Sequence, residues 1–475
     1  MRFLVATLFA VALGIVVVLA PVVYALVVPA VLSIGVLALV LRWTATNHPL
    51  DRDVARWTYA SYALHLALGL GIAASDKAVT FLAPDANNYH LDAIALSRHW
   101  SEGTPKPALP IGKEGFYLAL ARLYELIGPH RVGGLVIITL CSALLVPLVS
   151  DTTRRLFGRG AARAVLPLIV LLPGFLVWTS QLLREAPIVL GLALAINLAI
   201  RISEKVNLAN LVLLAVTVAV LFTLRANVAY VFAAGLVVGL AMGGRHLVFG
   251  ILTAGAMAGV LAAIVLGGGL GEGGYERSAT ADLKQVNNIR SALATTANSG
   301  VASDADVSTT SGSLAYLPIG VPQLLLGPFP WQVRNLRQLF GLLEAMTIWW
   351  FVPAFVRGVG RAGRRIGRRV ALLLAPAAGI TAVVALLIGN NGTLVRERLQ
   401  VLVLLLPFTA LGLVRRVGND GRQASALTVI GDSAPEVDGR RRVQAAVATR
   451  WGESRSWAVR HWWRRRGMVL RFVSI

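Results

Sequence analysis

Asp85, Tyr89 and Asp92 recur at i, i+4 and i+7 within PDANNYHLDAIALSRHW, so a helix there sets two carboxylates and a phenol along one stripe. A carboxylate in such a stripe can act as a general base toward a hydroxyl. It can equally hold a divalent cation, Mg or Mn, that neutralises a phosphate leaving group, with Asp85 as the metal ligand. The plainer alternative is a solvated helix start, since Asp85 follows Pro84. His90 lies beside the stripe but off it, where a lone histidine is more often a structural hydrogen bonder than a ligand. Downstream, Lys113 and Glu114 open GKEGFYLALARLYELIG, placed either to reach a ligand or to pair with each other.

Arginines form the second set. Arg184 with Glu185 in WTSQLLREAP, Arg225 in LFTLRANVAY, and Arg396 with Arg398 in NNGTLVRERLQ all sit at the ends of apolar runs. Charges so near hydrocarbon are costly unless paired or used. Guanidinium groups there suit a bidentate grip on a lipid-linked phosphate. Snorkelling to headgroups, or pairing with Glu185 and Glu397, is the competing reading. Asn391-Gly392-Thr393 also matches a short glycosylation acceptor.

The elements that must position these groups are membrane helices. Of 475 residues, 56% are hydrophobic and 14% charged, outside the range of soluble globular chains. Apolar runs recur at roughly 3–20, 22–42, 55–74, 133–150, 164–181, 186–202, 207–224, 226–243, 247–267, 337–356, 370–389 and 398–414. Since about 20 residues cross a bilayer core, this predicts an all-α integral membrane protein with about twelve transmembrane helices. The first two runs are too long together for one span, so a hairpin near Pro21 is expected rather than a cleaved leader.

Net charge +22 raises a nucleic-acid partner, but the arginines collect in particular loops, as the positive-inside rule requires. Arg154, Arg155, Arg159 and Arg163 mark one cytosolic loop, Arg357 to Arg369 another, and Arg415 with Arg416 opens a cytosolic tail. Both termini are then inside, and two long loops, 75–131 and 268–336, lie outside on one face. The organisation is a membrane core, 1–416, followed by a basic tail, 417–475, whose Trp451, Trp457, Trp462 and Trp463 alternate with arginines. Such a tail suits an interfacial helix on anionic lipid, with a disordered solubilising segment as the alternative.

Apolar residues at helical spacing, Phe116, Leu120, Leu123, Tyr124 and Ile127, predict an amphipathic helix in the first outer loop. The second outer loop opens glycine-rich and closes with YLPIGVPQLLLGPFPWQ, where Tyr316, Phe329 and Trp331 are expected at headgroup level. Cys141 is the lone cysteine, which excludes a disulfide framework within one chain.

Several of these segments, in this order, resemble the bacterial polytopic glycosyltransferases of the GT-C type that use polyprenyl-phosphate sugars, including the dolichyl-phosphate-mannose protein mannosyltransferase-like group. PDANNYHLDAIAL followed by PIGKEGFYLALARLYELIG is similar to the family's first outer loop. LLPGFLVWTSQLLREAPIVLGLALA is similar to the following helix hairpin, and NNGTLVRERLQVLVLLLPFTAL to its late arginine segment. The resemblance covers about residues 55–416 and implies catalysis at the outer face, with Asp85 matching the first-loop acid and Asp92 a weaker match. Here the acidic loop follows the third expected span rather than the first, and Ala86 stands where a paired acid is common.

The leading expectation is therefore sugar transfer from a polyprenyl-phosphate donor to a cell-envelope glycan, lipid or protein acceptor at the outer face of a bacterial inner membrane. Asp85 or Asp92 would serve as the acid, while Tyr89, His90, Lys113, Glu114, Arg184, Glu185, Arg225, Arg396 and Arg398 would bind substrate. An O-antigen or exopolysaccharide polymerase-like enzyme is the near alternative. A transporter or flippase of lipid-linked sugars is the more distant one, since the ionisable groups gather at span ends rather than mid-membrane.

Overall fold

The computed structural model describes residues 21–109, 113–243, 283–296, 300 and 305–414. The expected spans at 3–20 and 247–267, the glycine-rich start of the second outer loop and the Trp-rich tail lie outside the described residues. Among the described residues the architecture is helical throughout, with one isolated β-bridge between Gly300 and Asn390.

In chain order the helices are α1 (Pro21–Thr44), α2 (Pro49–Ala73), α3 (Asp76–Leu82), α4 (Asp85–Glu102), α5 (Glu114–Ile127), α6 (Arg131–Phe157), α7 (Arg159–Leu171) and α8 (Pro173–Trp178). There follow α9 (Glu185–Glu204), α10 (Leu208–Leu224), α11 (Ala226–Gly243), α12 (Leu283–Thr296), α13 (Thr310–Leu326), α14 (Leu336–Ile366), α15 (Ala371–Leu387) and α16 (Asn391–Leu413). Among the described residues, four stretches are long and apolar enough to cross a membrane: Val23–Thr44, Arg131–Phe157, Glu185–Glu204 and Gln338–Gly363. Helices α10, α11 and α15 are apolar but shorter.

Two helices organise the core. Helix α6 packs against α1, α2, α7 and α9, while α16 packs against α14, α7, α9 and α15. The α14–α16 contact is closed by small residues: a side chain at Gly358 would meet the Phe408 carbonyl, and one at Gly412 the Ala354 carbonyl. Reciprocal backbone approach of this kind is how helices gain contact where surrounding lipid removes the hydrophobic drive to associate.

The expected run 164–181 is not one helix. Pro173 disfavours the α conformation at Leu172, so α7 stops and α8 restarts there. Residues 179–184 then form a buried turn before α9, with Ser142 of α6 donating to the Thr179 carbonyl at 2.6 Å. Two of the arginines expected to mark a cytosolic loop are tied down: Arg155 lies 2.9 Å from the buried carboxylate of Asp151, which also meets Arg201 at 2.6 Å, and Arg163 lies 2.9 Å from Asp53.

The polar interval after α2 folds into α3, α4 and α5. As the spacing requires, α5 buries Phe116, Leu120, Tyr124 and Ile127, together with Tyr117 and Ala121. In the second polar interval, α13 packs on α15 and α16. Tyr316 departs from expectation: it is 5% exposed, with the Arg290 guanidinium 4.4 Å from its ring centre, so it packs inside rather than anchoring at a surface. Phe329 and Trp331 stack in parallel at 4.9 Å, and Trp331 is 77% exposed.

Candidate functional site

A cavity of about 790 Å³ gathers groups from both ends of the chain. Its wall includes Asp85, Tyr89, Lys113, Arg184, Glu185, Arg225, Arg396 and Glu397, with Asn335, Gln338, Asn390 and Asn391 adding neutral polar groups. These residues share a position in their elements. Asp85 starts α4, Lys113 precedes α5, Arg184 and Glu185 start α9, Arg225 precedes α11, and Asn390 and Asn391 start α16. Five helix N-termini therefore face one space. Each brings the positive end of its dipole to the cavity wall, which favours an anion, although Asn390 caps one first-turn N–H of α16.

Charged side chains add to that field. Lys113, Arg184, Arg225 and Arg396 supply cations, against the carboxylates of Asp85, Glu185 and Glu397. Arg225 pairs with Glu397, bridging the α10–α11 junction to α16. Arg184 donates to the Leu224 carbonyl at 2.9 Å, closing the last turn of α10. Arg396 donates to Asp85 at 2.6 Å and so ties α16 to the first polar interval.

The titration of the α4 residues follows from this crowding. Burial pushes the Asp85 carboxyl up, but the Arg396 guanidinium outweighs it and, helped by Lys113 and Arg184, holds Asp85 below the usual carboxylate range. Burial pushes the Tyr89 phenol up to about 12, so it is a neutral hydrogen-bonding group. Its ring is fixed edge-on against Phe116 at 4.9 Å.

Other residues of the sequence-derived set stand elsewhere. Asp92 acts on the Tyr117 phenol of α5, and the His90 Nδ1 lies 2.7 Å from the Tyr124 hydroxyl, so both face α5 and neither is in the cavity wall. Glu114 sits in the first turn of α5 outside the cavity wall. Arg398 is fully buried, 2.8 Å from Glu344 of α14 and donating to the Gly327 carbonyl, away from the cavity wall. Its placement follows from helix geometry: two positions beyond Arg396, it points to nearly the opposite side of α16.

Asn391 is 3% exposed and accepts from Gln323 at 3.2 Å. It is a wall residue of the cavity, and its burial removes it as a glycosylation acceptor. The companions missed from sequence are Gln338, Asn335 and Asn390, which carry no motif. Asn390 is the exception in retrospect, because its side chain accepts from Thr393 N at 2.8 Å as an ordinary N-cap preceding the apolar run.

A divalent cation at Asp85 does not fit these residues. The carboxylate is already paired with Arg396, and Lys113 and Arg184 raise the local positive potential. Among the described residues, no group of three or more His, Cys, Asp and Glu side chains gathers to hold a metal ion.

A second cavity, about 300 Å³, is apolar and lies along the same two helices. On α14 the polar cavity reaches Gly341 and the apolar one begins at Ile348; on α16 they are bounded by Glu397 and Leu402. The step between them is about two helical turns on each helix or less. Leu325, Phe351, Phe355 and Leu405 line the apolar groove. Its lining is hydrocarbon throughout apart from Thr409. No protein-family model matches this chain, and no curated protein matches it.

Proposed function

We propose that the protein is a membrane glycosyltransferase that moves a sugar from a polyprenyl-phosphate donor to a cell-envelope glycan, lipid or protein acceptor. The observation that carries this reading is the pairing of the two cavities. A site walled by five helix N-termini and four cationic side chains suits a phosphate, and an apolar groove follows it on α14 and α16. One ligand with an anionic head and a hydrocarbon tail satisfies both.

In this reading the acceptor oxygen bonds the anomeric carbon as the carbon–oxygen bond to phosphate breaks. Polyprenyl phosphate departs with the bonding electron pair. Arg396, Lys113, Arg184 and Arg225 stabilise the charge that grows on the phosphate, an effect strengthened where water is excluded. Asp85, Glu185 and Glu397 are the wall carboxylates available to the acceptor's proton, and Arg396 and Arg225 pair with the first and the third.

The accompanying topology is about twelve spans in a bacterial inner membrane, both termini cytosolic and both polar intervals on the outer face, as the distribution of arginines supports. Purified full-length protein incubated with undecaprenyl-phosphate mannose, glucose or arabinose and an alkyl glycoside acceptor should yield a glycosylated acceptor and free undecaprenyl phosphate. Failure to release undecaprenyl phosphate from any of the three would sink the proposal. Products carrying one added sugar distinguish this activity from a polymerase that joins whole repeats.

A further inference from the structure

The wall of the charged cavity holds an enclosed carboxylate oxygen that has no hydrogen-bond partner among the described residues. It is Oε2 of Glu185, in the first turn of α9, a residue that is 5% exposed. Buried carboxylate oxygens are ordinarily satisfied, because leaving one unpaired costs about 1–3 kcal/mol or more. Asp85 presents the opposite case. Its Oδ2 lies 2.6 Å from Arg396, and its side chain is 44% exposed. Lone pairs committed to a guanidinium are poorly available to a substrate proton.

Arg396 connects the two acids. Both carboxylates act on its guanidinium, Glu185 through charge and Asp85 through charge and a hydrogen bond. Tyr89 faces the same group, since Arg184, Glu185, Asp85 and Arg396 all act on its phenol. Glu185 and Arg396 line the same cavity, so a sugar held there by its phosphate leaves the opposite face of the anomeric carbon, from which the hydroxyl attacks, open to a second wall group such as Glu185.

We infer that Glu185, and not Asp85, takes the proton from the acceptor hydroxyl, whose O–H supplies the hydrogen bond that Oε2 lacks. Asp85 is a positioning residue that fixes Arg396 for the phosphate. This rests on the proposed glycosyl transfer. As the acceptor oxygen bonds the anomeric carbon, its proton passes to Glu185 Oε2, the sugar–phosphate bond breaks, and the phosphate keeps the electron pair. The proton then leaves to water, restoring the carboxylate.

The test compares E185Q, E185D and D85N with the unaltered protein, all full-length in detergent. Binding of undecaprenyl phosphate is measured alongside kcat and donor KM with undecaprenyl-phosphate mannose, glucose and arabinose. Loss of a general base costs about 100-fold or more in rate. E185Q should therefore lose at least about 100-fold in kcat while its affinity for undecaprenyl phosphate stays within about threefold, and E185D should recover part of the rate. D85N should instead raise donor KM and weaken undecaprenyl phosphate binding, with kcat within about tenfold. E185Q turning over within about fivefold of the unaltered protein overturns the inference, as does D85N showing the larger kcat loss with binding intact. If E185Q does not fold, E185D decides, because its shortened carboxylate leaves charge in place and should still cut kcat without changing phosphate affinity. An unaltered protein that binds undecaprenyl phosphate but transfers none of the three sugars overturns the inference together with glycosyl transfer from them. One that does not bind undecaprenyl phosphate overturns the donor reading itself.

Discussion

Asp85 and Arg396 stand 311 positions apart in sequence and 2.6 Å apart in space, joining the first turn of α4 to the second turn of α16 across the wall of the charged cavity. The pair fixes a cation at the cavity while anchoring a segment that carries Tyr89 on its next turn. Its worth lies in placing Arg396 rather than in stability, since a partly exposed ion pair contributes about 0–1 kcal/mol.

That assignment has a thermodynamic signature. If Asp85 acts on donor binding through Arg396, D85N and R396Q should be strongly non-additive in undecaprenyl phosphate affinity. Each single change should weaken binding by about tenfold, and the double change by little more than R396Q alone. Additive losses would mean that the two residues meet the ligand independently.

Acid should loosen α4 from both of its attachments. The Asp85 carboxyl is held below its ordinary value, so its contribution is complete above the unfolded carboxylate range and is lost as pH falls through the lower folded value. His90 is pushed down to about 4 by burial, with Arg131 and His130 adding repulsion, so the neutral ring is favoured in the fold. Its contribution is present above the unfolded value of 6.5 and is lost progressively as pH falls toward about 4. The opening of α4, read from hydrogen-exchange protection corrected for the intrinsic rate, should therefore rise between pH 6.5 and 4 through His90 and again below about pH 4 through Asp85, and H90N should flatten the first rise. Constant protection from pH 6.5 to 4 would count against the His90 attachment, and constant protection below about pH 4 against the Asp85 one.

The helices were readable from sequence where burial is uniform, and obscure where a wall is polar. Apolar runs marked α9, α10 and α11 to within two residues, because their faces meet apolar surroundings, whereas α6 runs seven residues past its expected end through the polar SDTTRR. The run expected from 398 misses the true start of α16 at Asn391, since NNGTLVRER is polar on the side facing the cavity. The stripe of Asp85 and Tyr89 reaches the cavity as its spacing requires, yet Asp92, on the same stripe, is taken up by Tyr117 of α5. Convergence of five helix N-termini is a tertiary relation that no local pattern contains. The separation of Arg396 from Arg398, by contrast, was available from helical periodicity alone.

Arg398 should behave as a structural residue. It is fully buried beside Glu344, whose side chain is 4% exposed, and removing one partner of such a pair typically costs about 3–5 kcal/mol. R398A should reduce folded yield and thermal stability markedly, and any folded fraction should bind undecaprenyl phosphate near normally. R396A should show the reverse, a stable protein with weakened binding. Equal losses of binding in two stable variants would return Arg398 to the phosphate site.

Topology is testable without activity. Single cysteines at Ser101 and Ser308, in a C141S background, should react with an impermeant thiol reagent in intact cells, whereas one at Ser425 should react only after lysis. Labelling at Ser425 in intact cells with none at Ser101 would reverse the orientation and move the charged cavity to the cytosolic side.

The apolar groove offers a way to separate recognition of the tail from recognition of the head. Its volume is about 300 Å³, and Leu402 and Phe355 line it without entering the charged cavity. Replacing Leu402 by Trp adds bulk inside the groove and should raise the KM for a donor with a long prenyl chain by about tenfold or more, since each buried methylene contributes about 0.8 kcal/mol. A donor with the same sugar phosphate on a short prenyl chain should be little affected, because its head meets an unchanged wall. The ratio of the two KM values is the informative quantity, as it cancels any general loss of active protein. An unchanged ratio would show that the prenyl chain lies elsewhere, while equal sensitivity of both donors would mean that the substitution had disturbed α16 and, through it, Arg396.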